Sequence, residues 1–321
     1  MSEAQLVVGA RRSPLSRAQA EWVGERLSEC WPGLAVEYRF IATAGDRDRV
    51  TPLPAIGGKG LFTEELEQAL REGRIDVAVH SLKDLPVDPP DGLTLAAVPV
   101  REDPRDILVV RDAPIVAQGS GEGLDVLRRL PTAARVGTSS LRRAAQLRAC
   151  RADLRPLPVR GNVDTRLRKL QEGGFEALVL AAAGLRRLGL RPRGARVLGE
   201  EWLPAPGQGA LGLQCRADGD VGADRVHALD DPVARAEVTA ERALLAVLEG
   251  GCRVPIAARA SLQGGDLRLR AAVYDVAGGP SVQDAEAGRA DGADELGRRL
   301  ASRMLESGAA ALVERARRLS P

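Results

Sequence analysis

The chain has 321 residues, of which 44% are hydrophobic and 28% charged, a balance that excludes a disordered polymer and leaves apolar material for two or three domains with cores of their own. A formal net charge of +2 and an aromatic content of 2% exclude the broad basic field and stacking rings of a typical nucleic-acid or membrane-surface binder. Any anion recognition must therefore be local.

Short apolar runs alternate with longer helical patterns, the mark of α/β layering. QLVVGA (5–10) reads as a strand, and SPLSRAQAEWVGERLSEC (13–30) as a helix capped by Ser13 with Pro14 at its first position. AVEYRFI (35–41) is a second strand. GGKGLF (57–62) is not a phosphate loop, because Leu61 stands where Ser or Thr is required, and a mobile loop carrying Lys59 is expected. LFTEELEQALREG (61–73) reads as a helix: Leu61, Phe62, Leu66, Ala69 and Leu70 share a face, Glu64 and Glu65 sit in the early turns, and Gly73 supplies the stop. IDVAV (75–79) is a buried strand, so HSLKDLP (80–86) follows a strand's carboxyl end, where open α/β sheets place ligands.

A second block opens at REDPRDILVV (101–110) and repeats that order. ARVGTSS (134–140) is strand into turn, LRRAAQLRACR (141–151) helix, LRPLPVRGN (154–162) strand into turn, VDTRLRKLQEGG (163–174) helix and FEALVLAAAG (175–184) strand. VAQGSGEG (116–123) reads as a flexible surface loop and LPAPGQGALGLQCR (203–216) as a linker. In the last block, 231–251 is a helix capped by Asp231 and stopped by two glycines, 252–275 a hairpin turning at Gly264 and Gly265, and two helical runs finish the chain.

Three of the 46 basic residues are lysines, Lys59, Lys83 and Lys169. With arginine used almost everywhere, a solvated surface charge is the default for any one Arg, and a lysine is the informative exception. Arg11 and Ser13 follow the first strand. Thr138, Ser139, Ser140, Arg142 and Arg143 sit where a strand feeds a helix, and Arg160 and Arg166 flank a second such turn. Helix N-termini with hydroxyls and guanidinium forks hold carboxylate or phosphate. Three such clusters at strand carboxyl ends point to one cleft lined for a polyanion.

For His80 the simpler reading is a satisfied histidine near the core, and for Asp84 a turn cap before Pro86. Lys83 beside a carboxylate suits the handling of charged intermediates. Cys30, Cys150, Cys215 and Cys252 show no C-x-x-C pair and no metal-ligand spacing, so no metal is expected and a reduced cytoplasmic setting is. Cys252 is either a half-buried structural thiol or a thiolate offered on a glycine-flanked loop. The N-terminus lacks the basic region of a signal peptide, and the longest uncharged apolar stretch, 177–185, is shorter than the roughly 20 residues that span a bilayer.

GARRSPLSRAQA, GGKGLF, VAVHSLKDLP, REDPRD, VGTSSLRRAAQL, RGNVDTRL, AAAGLRRLGL, LPAPGQGALG and LEGGCRVPIAARA follow one another in order, and together they resemble the successive motifs of the porphobilinogen deaminase (hydroxymethylbilane synthase) family from about residue 6 to about residue 275. The resemblance implies an α/β fold of two periplasmic-binding-protein-like domains around a cleft, with a smaller C-terminal α/β domain. The implied division is 1–101 with 205–228 returning to it, 102–204, and 229–321. It also implies a transferase that joins four porphobilinogen molecules head to tail with loss of ammonia, primed by a dipyrromethane cofactor on Cys252. By resemblance Asp84 and Lys83 are catalytic. Arg11, Ser13, Lys59, Ser81, Thr138, Ser139, Ser140, Arg142, Arg143, Arg160, Arg166, Arg187 and Gln208 hold the carboxylate arms of cofactor and substrate.

The same resemblance implies a cytoplasmic monomer that binds neither nucleic acid nor membrane and passes its product to the next tetrapyrrole enzyme. Three departures stand out: Ala55 where the family often has lysine, Ser16 where alanine is common, and a longer segment over 112–132. The competing class is a non-catalytic two-lobed binding protein for a polycarboxylate.

Overall fold

A computed structural model describes residues 5–43, 45, 63–111, 122–218, 221–248 and 254–319. Lys59, Ala55 and Cys252 lie outside the described residues. The described residues form two compact units, one of those up to Glu102 together with Gly209–Ala236, the other of Asp103–Gln208 and those from Glu237 onward.

In the first unit β1 (Gln5–Arg11), β2 (Ala35–Ile41), β3 (Val77–Ser81), β4 (Leu93–Ala97) and the late β10 (Leu211–Arg216) form a five-stranded sheet among the described residues, in the order β2-β1-β3-β10-β4. β1 runs parallel to β2 and β3, and β10 antiparallel to β3 and β4. Alternation along the strands separates two apolar layers. Leu6, Val8, Val77, Val79 and Leu213 pack on Ala20, Val23 and Leu27 of α1 (Pro14–Cys30). Ile75, Ala78 and Leu93 meet Leu66, Ala69 and Leu70 of α2 (Glu64–Arg71), the face expected from its apolar spacing. Each fully buried leucine contributes about 1.5–3 kcal/mol. Ser13 caps α1 as expected, its Oγ accepting from Ser16 N at 3.2 Å, with Pro14 in the first turn. Gly24 lets α1 lie close to the sheet, because a Cβ there would run into the Tyr38 hydroxyl.

The segment 203–216, expected to be a linker, contains β10, which sits between β3 and β4. Its two prolines and two of its three glycines precede the strand, and Gly212 lies within it, opposite His80. The pairing Leu211 with Ser81 and Leu213 with Val79 joins residues more than a hundred positions apart, which no local pattern reports.

The second unit repeats the strand order. β5 (Asp106–Val110), β6 (Arg135–Gly137), β7 (Arg155–Leu157), β8 (Ala177–Ala181) and β9 (Ala195–Val197) are arranged β7-β6-β8-β5-β9, with β6 parallel to β7 and β8, and β5 antiparallel to β8 and β9. α3 (Gly123–Arg128), α4 (Leu141–Cys150), α5 (Val163–Gln171) and α6 (Ala182–Arg187) flank it. The strand read over 175–184 stops at Ala181, and its Ala-Ala-Ala-Gly tail opens α6. Of the loop read over 116–123, residues 116–121 lie outside the described residues and Gly123 begins α3.

α7 (Val221–His227) belongs to the first unit, and α8 (Pro232–Val247) is capped by Asp231, whose Oδ1 accepts from Ala234 N at 2.7 Å. The C-terminal residues form an antiparallel sheet of β11 (Ile256–Gln263), β12 (Asp266–Val273) and β13 (Val282–Arg289). The hairpin turns at Gly264 and Gly265, whose φ values of 59° and 93° suit glycine. β13 was not read from the sequence. α9 (Ala293–Met304) and α10 (Ala310–Leu319) cover this sheet through Leu296, Leu300, Met304 and Val313. The whole is the expected α/β class: two five-stranded sheets among the described residues, each with one antiparallel strand in fourth position and helices around it, and a smaller C-terminal sheet covered by helices. Among the described residues no helix is long and apolar enough to cross a membrane.

Candidate functional site

In the first unit the predicted residues gather at the carboxyl ends of β1 and β3. The register pairing Gly9 with Ala78, carried two residues on, sets Arg11 beside His80. β3 ends at Ser81, whose hydroxyl receives Gln19 Nε2 of α1 at 3.0 Å. A single 3-10 turn, Leu82–Asp84, follows. Leu82 N donates to Ala210 O at 3.0 Å and Leu85 N to Leu82 O at 3.1 Å, so the turn's backbone is tied down at both ends. Leu82 is buried, Lys83 half-buried and Asp84 exposed, and no described residue donates a hydrogen bond to the Asp84 carboxylate. His80 is 5% exposed. Burial, foremost, and the nearby Arg11 charge bring its pKa down to about 4, while the Gln214 side chain acts the other way. The imidazole is therefore neutral near pH 7, in keeping with a histidine near the core, but its Nε2 has no hydrogen-bond partner.

In the second unit the predicted residues again cluster at strand carboxyl ends. Thr138 follows β6, its hydroxyl accepting from Ser140 N at 3.2 Å. Ser140 caps α4, accepting from Arg143 N at 3.4 Å. The Ser139 hydroxyl bridges to the next strand end, donating to Val159 O at 2.8 Å and accepting from Val159 N at 3.1 Å. Arg160 follows β7, Arg166 lies in the first turn of α5 with its Nε on Gly161 O at 2.8 Å, and Arg187 ends α6.

Arg142 and Arg143 depart from the surface default for arginine: they are 5% and 7% exposed and converge on Asp106. Antiparallel β5 starts where β8 ends, Asp106 facing Ala181, and so brings its first residue to the same sheet edge. Asp106 Oδ1 accepts from Arg143 Nη2 at 2.7 Å, Arg143 Nε at 3.2 Å and Gln208 Nε2 at 2.8 Å. Its Oδ2 accepts from Arg142 Nη1 and Trp202 Nε1, both at 2.9 Å. Burial alone would raise the Asp106 pKa, but the two guanidiniums outweigh it and hold the carboxyl far below the usual range. A ligand carboxylate would thus meet two cations already sharing one internal anion. Asp106 is not among the residues expected from the sequence to form the site. The only signal was its place in REDPRD, since its four side-chain partners come from three distant points of the chain.

Among the described cysteines, Cys30, Cys150 and Cys215 are free thiols, and burial pushes Cys215 up to about 12. No cluster of metal-ligating side chains occurs among the described residues.

Fold and site together define an α/β enzyme with two similar lobes, each collecting basic and hydroxyl side chains at its strand ends. The family models "Porphobilinogen deaminase, dipyromethane cofactor binding domain" and "Porphobilinogen deaminase, C-terminal domain" match residues 6–223 and 235–306. A porphobilinogen deaminase of Pelobacter propionicus is 45% identical over 98% of each chain, and one of Roseiflexus castenholzii 48% identical over 96% of this chain and 98% of that one. The chain belongs to the porphobilinogen deaminase family, transferases with a dipyrromethane-binding domain. Among solved structures, the BenM effector-binding domain with benzoate covers 71% of this chain and 91% of its own at 13% identity and a TM-score of 0.44, a likeness that carries no argument.

Proposed function

We propose that this chain condenses four porphobilinogen molecules head to tail, releasing ammonia at each step and taking up one water when the tetrapyrrole is freed from its primer as hydroxymethylbilane, and that the priming dipyrromethane is held through a thioether to Cys252. The observation that carries this reading is Asp84: a carboxylate exposed on a backbone-anchored turn, next to Lys83 and just past the strand end where Arg11 flanks His80.

Porphobilinogen bears an acetate and a propionate, so each added ring brings two carboxylates. The donor set at the strand ends fits such a group: Arg142 Nε is a buried guanidinium nitrogen without a hydrogen-bond partner, among serine and threonine hydroxyls and further arginines. Arg11, Ser13, Ser81 and Lys83 in one lobe, and Thr138, Ser140, Arg142, Arg160, Arg166 and Arg187 in the other, hold the arms. Arg143, Ser139 and Gln208 support them through Asp106 and Val159. Lys59 adds a further cation. When bound, dipyrromethane supplies the pyrrole carbon on which the chain grows.

The demand on Asp84 follows from charge. As the aminomethyl C–N bond of porphobilinogen breaks, ammonia leaves with the electron pair and the pyrrole becomes a cationic azafulvene. Attack by a pyrrole carbon forms the C–C bond, and a ring proton is then lost. Two like charges about 4 Å apart cost on the order of 4 kcal/mol at an effective dielectric of 20, so a site made only of arginines would oppose the cation. The Asp84 carboxylate, accepting from pyrrole N–H groups, offsets that repulsion where the charge develops.

The reading includes the three-domain division, a cytoplasmic monomer, no nucleic-acid or membrane partner, and transfer of product to the next tetrapyrrole enzyme. The low net charge supports the absence of polyanionic partners. Its test is intact-mass analysis with a porphobilinogen assay. Wild type should carry the mass of a dipyrromethane and release ammonia from porphobilinogen, and Cys252→Ser should lose both. An active wild type of unmodified mass overturns the thioether assignment.

A further inference from the structure

Four side chains on one face of the first unit's sheet have buried polar atoms without a hydrogen-bond partner: Thr63 Oγ1, Glu67 Oε1, His80 Nε2, and both Nε2 and Oε1 of Gln214. All four residues are deeply buried, at 1%, 7%, 5% and 1% exposure. Topology brings them together. Gln214 pairs with Ala78 across β10 and β3, and Ala78 packs on α2, so Gln214 and, by alternation, His80 face that helix. α2 packs on Ala78 and leads into β3 through a short turn, so Thr63, just before the helix, and Glu67, in its first turn, lie at the end of α2 remote from that turn. Thr63 precedes the helix without using its hydroxyl as a cap. Gln214 is near enough to favour the charged imidazole, yet its amide makes no hydrogen bond in good geometry.

Buried polar atoms in folded proteins are overwhelmingly satisfied, and five orphans in one layer call for a shared partner. The chemistry of the set selects it. Glu67 Oε1 and Gln214 Oε1 can only accept, Gln214 Nε2 can only donate, and the Thr63 hydroxyl can do either. A cation, ammonium included, would leave the Gln214 donor unserved. A group that both donates and accepts serves all of them, and an enclosed water makes about three such bonds.

We propose that the layer between the first turn of α2 and the β3–β10 pair encloses ordered water that bridges His80, Gln214, Glu67 and Thr63, and that this hydrated layer is the floor on which the Ser81–Asp84 turn rests. Gln19 holds the turn from the α1 side and Ala210 through the backbone. On the α2 side, support from His80 and Gln214 would pass through the water. His80 and Gln214 are positioning residues: they touch no substrate and act through the backbone that carries Lys83 and Asp84.

The part of this inference that concerns turnover rests on the proposed function; the water itself does not. A high-resolution crystal structure of the wild-type holoenzyme should show at least one water within hydrogen-bond distance of two or more of the four side chains. A dry layer, or direct bonds among them, overturns the proposal. Gln214→Leu, nearly isosteric and apolar, should expel water from its crystal structure and lower kcat for porphobilinogen about tenfold with KM unchanged, as misplacement of a bound reactive group does. Leu93→Ala, on the same face but apolar, should lower Tm and leave kcat unchanged. If Gln214→Leu loses only Tm, the positioning role is wrong. If it does not fold, the wild-type water decides. A wild type that turns over no porphobilinogen refutes the proposed function and leaves the crystallographic test standing.

Discussion

The two lobes share a strand order and put an aspartate to opposite uses. In the first, Asp84 sits past β3, exposed and reached by no described donor, although Lys83 is its neighbour in the turn. In the second, Asp106 opens β5 with no exposed surface and takes five hydrogen bonds, three of them from Arg142 and Arg143. The difference follows from position. A residue past the end of a strand stands in solvent, whereas the first residue of an antiparallel strand between β8 and β9 is walled in on both sides. The first carboxylate is available to a transient cation, and the second immobilises permanent ones.

Removing the buried carboxylate should have the larger effect. Asp106→Ala leaves two guanidiniums buried without their anion and should cost about 3–5 kcal/mol in urea unfolding. A loss below 1 kcal/mol would mean that the arginines find other partners and that the contrast is overdrawn. Asp84→Ala should leave unfolding unchanged and slow hydroxymethylbilane formation about 10²–10³-fold, the range seen when one preorganised electrostatic stabiliser is lost. A near-normal rate would remove Asp84 from the chemistry.

Acid should separate the lobes as well. His80 has its pKa lowered to about 4, so its contribution is complete above the unfolded value near 6.5 and is lost as pH falls from there to 4. Wild type should lose about 3 kcal/mol over that window that His80→Leu does not lose. Asp106, also lowered, keeps its contribution above the ordinary aspartate range and gives it up only in stronger acid. A wild type whose stability is flat from pH 6.5 to 4 would contradict the burial of a neutral His80. The smallest effects should be equal in the two lobes: Ser13→Ala and Ser140→Ala each remove a helix cap worth about 1 kcal/mol. Unequal losses would show that one hydroxyl does more than cap its helix.

The α/β alternation, the caps at Ser13 and Asp231 and the glycine hairpin were legible because each is a local pattern of a few residues. β10 was not, since a glycine-rich approach masks a strand whose partners are far away in sequence. β13 was missed because VQDAEAGR buries no residue fully, and its more covered face carries Asp284 and Glu286, which pair with Arg299 and Arg303 instead of forming an apolar stripe. At the site, residue type pointed to clusters of basic and hydroxyl side chains at strand ends but not to which arginines are spent internally. Arg142 and Arg143 were expected to face a ligand anion, and Asp106, the internal anion on which they converge, stands in REDPRD with no local pattern to mark it.

The late arrival of β10 bears on how the protein is made. As the nascent chain leaves the ribosome, β3 and β4 emerge well before the strand that separates them, and the first sheet cannot close until residue 216 is out. The inserted lobe, with all five of its strands already translated, can fold first, while the edges of β3 and β4 wait unpaired and open to the wrong neighbour. Slow or truncated synthesis past Gln208 should therefore yield a sound second lobe beside an aggregation-prone first one.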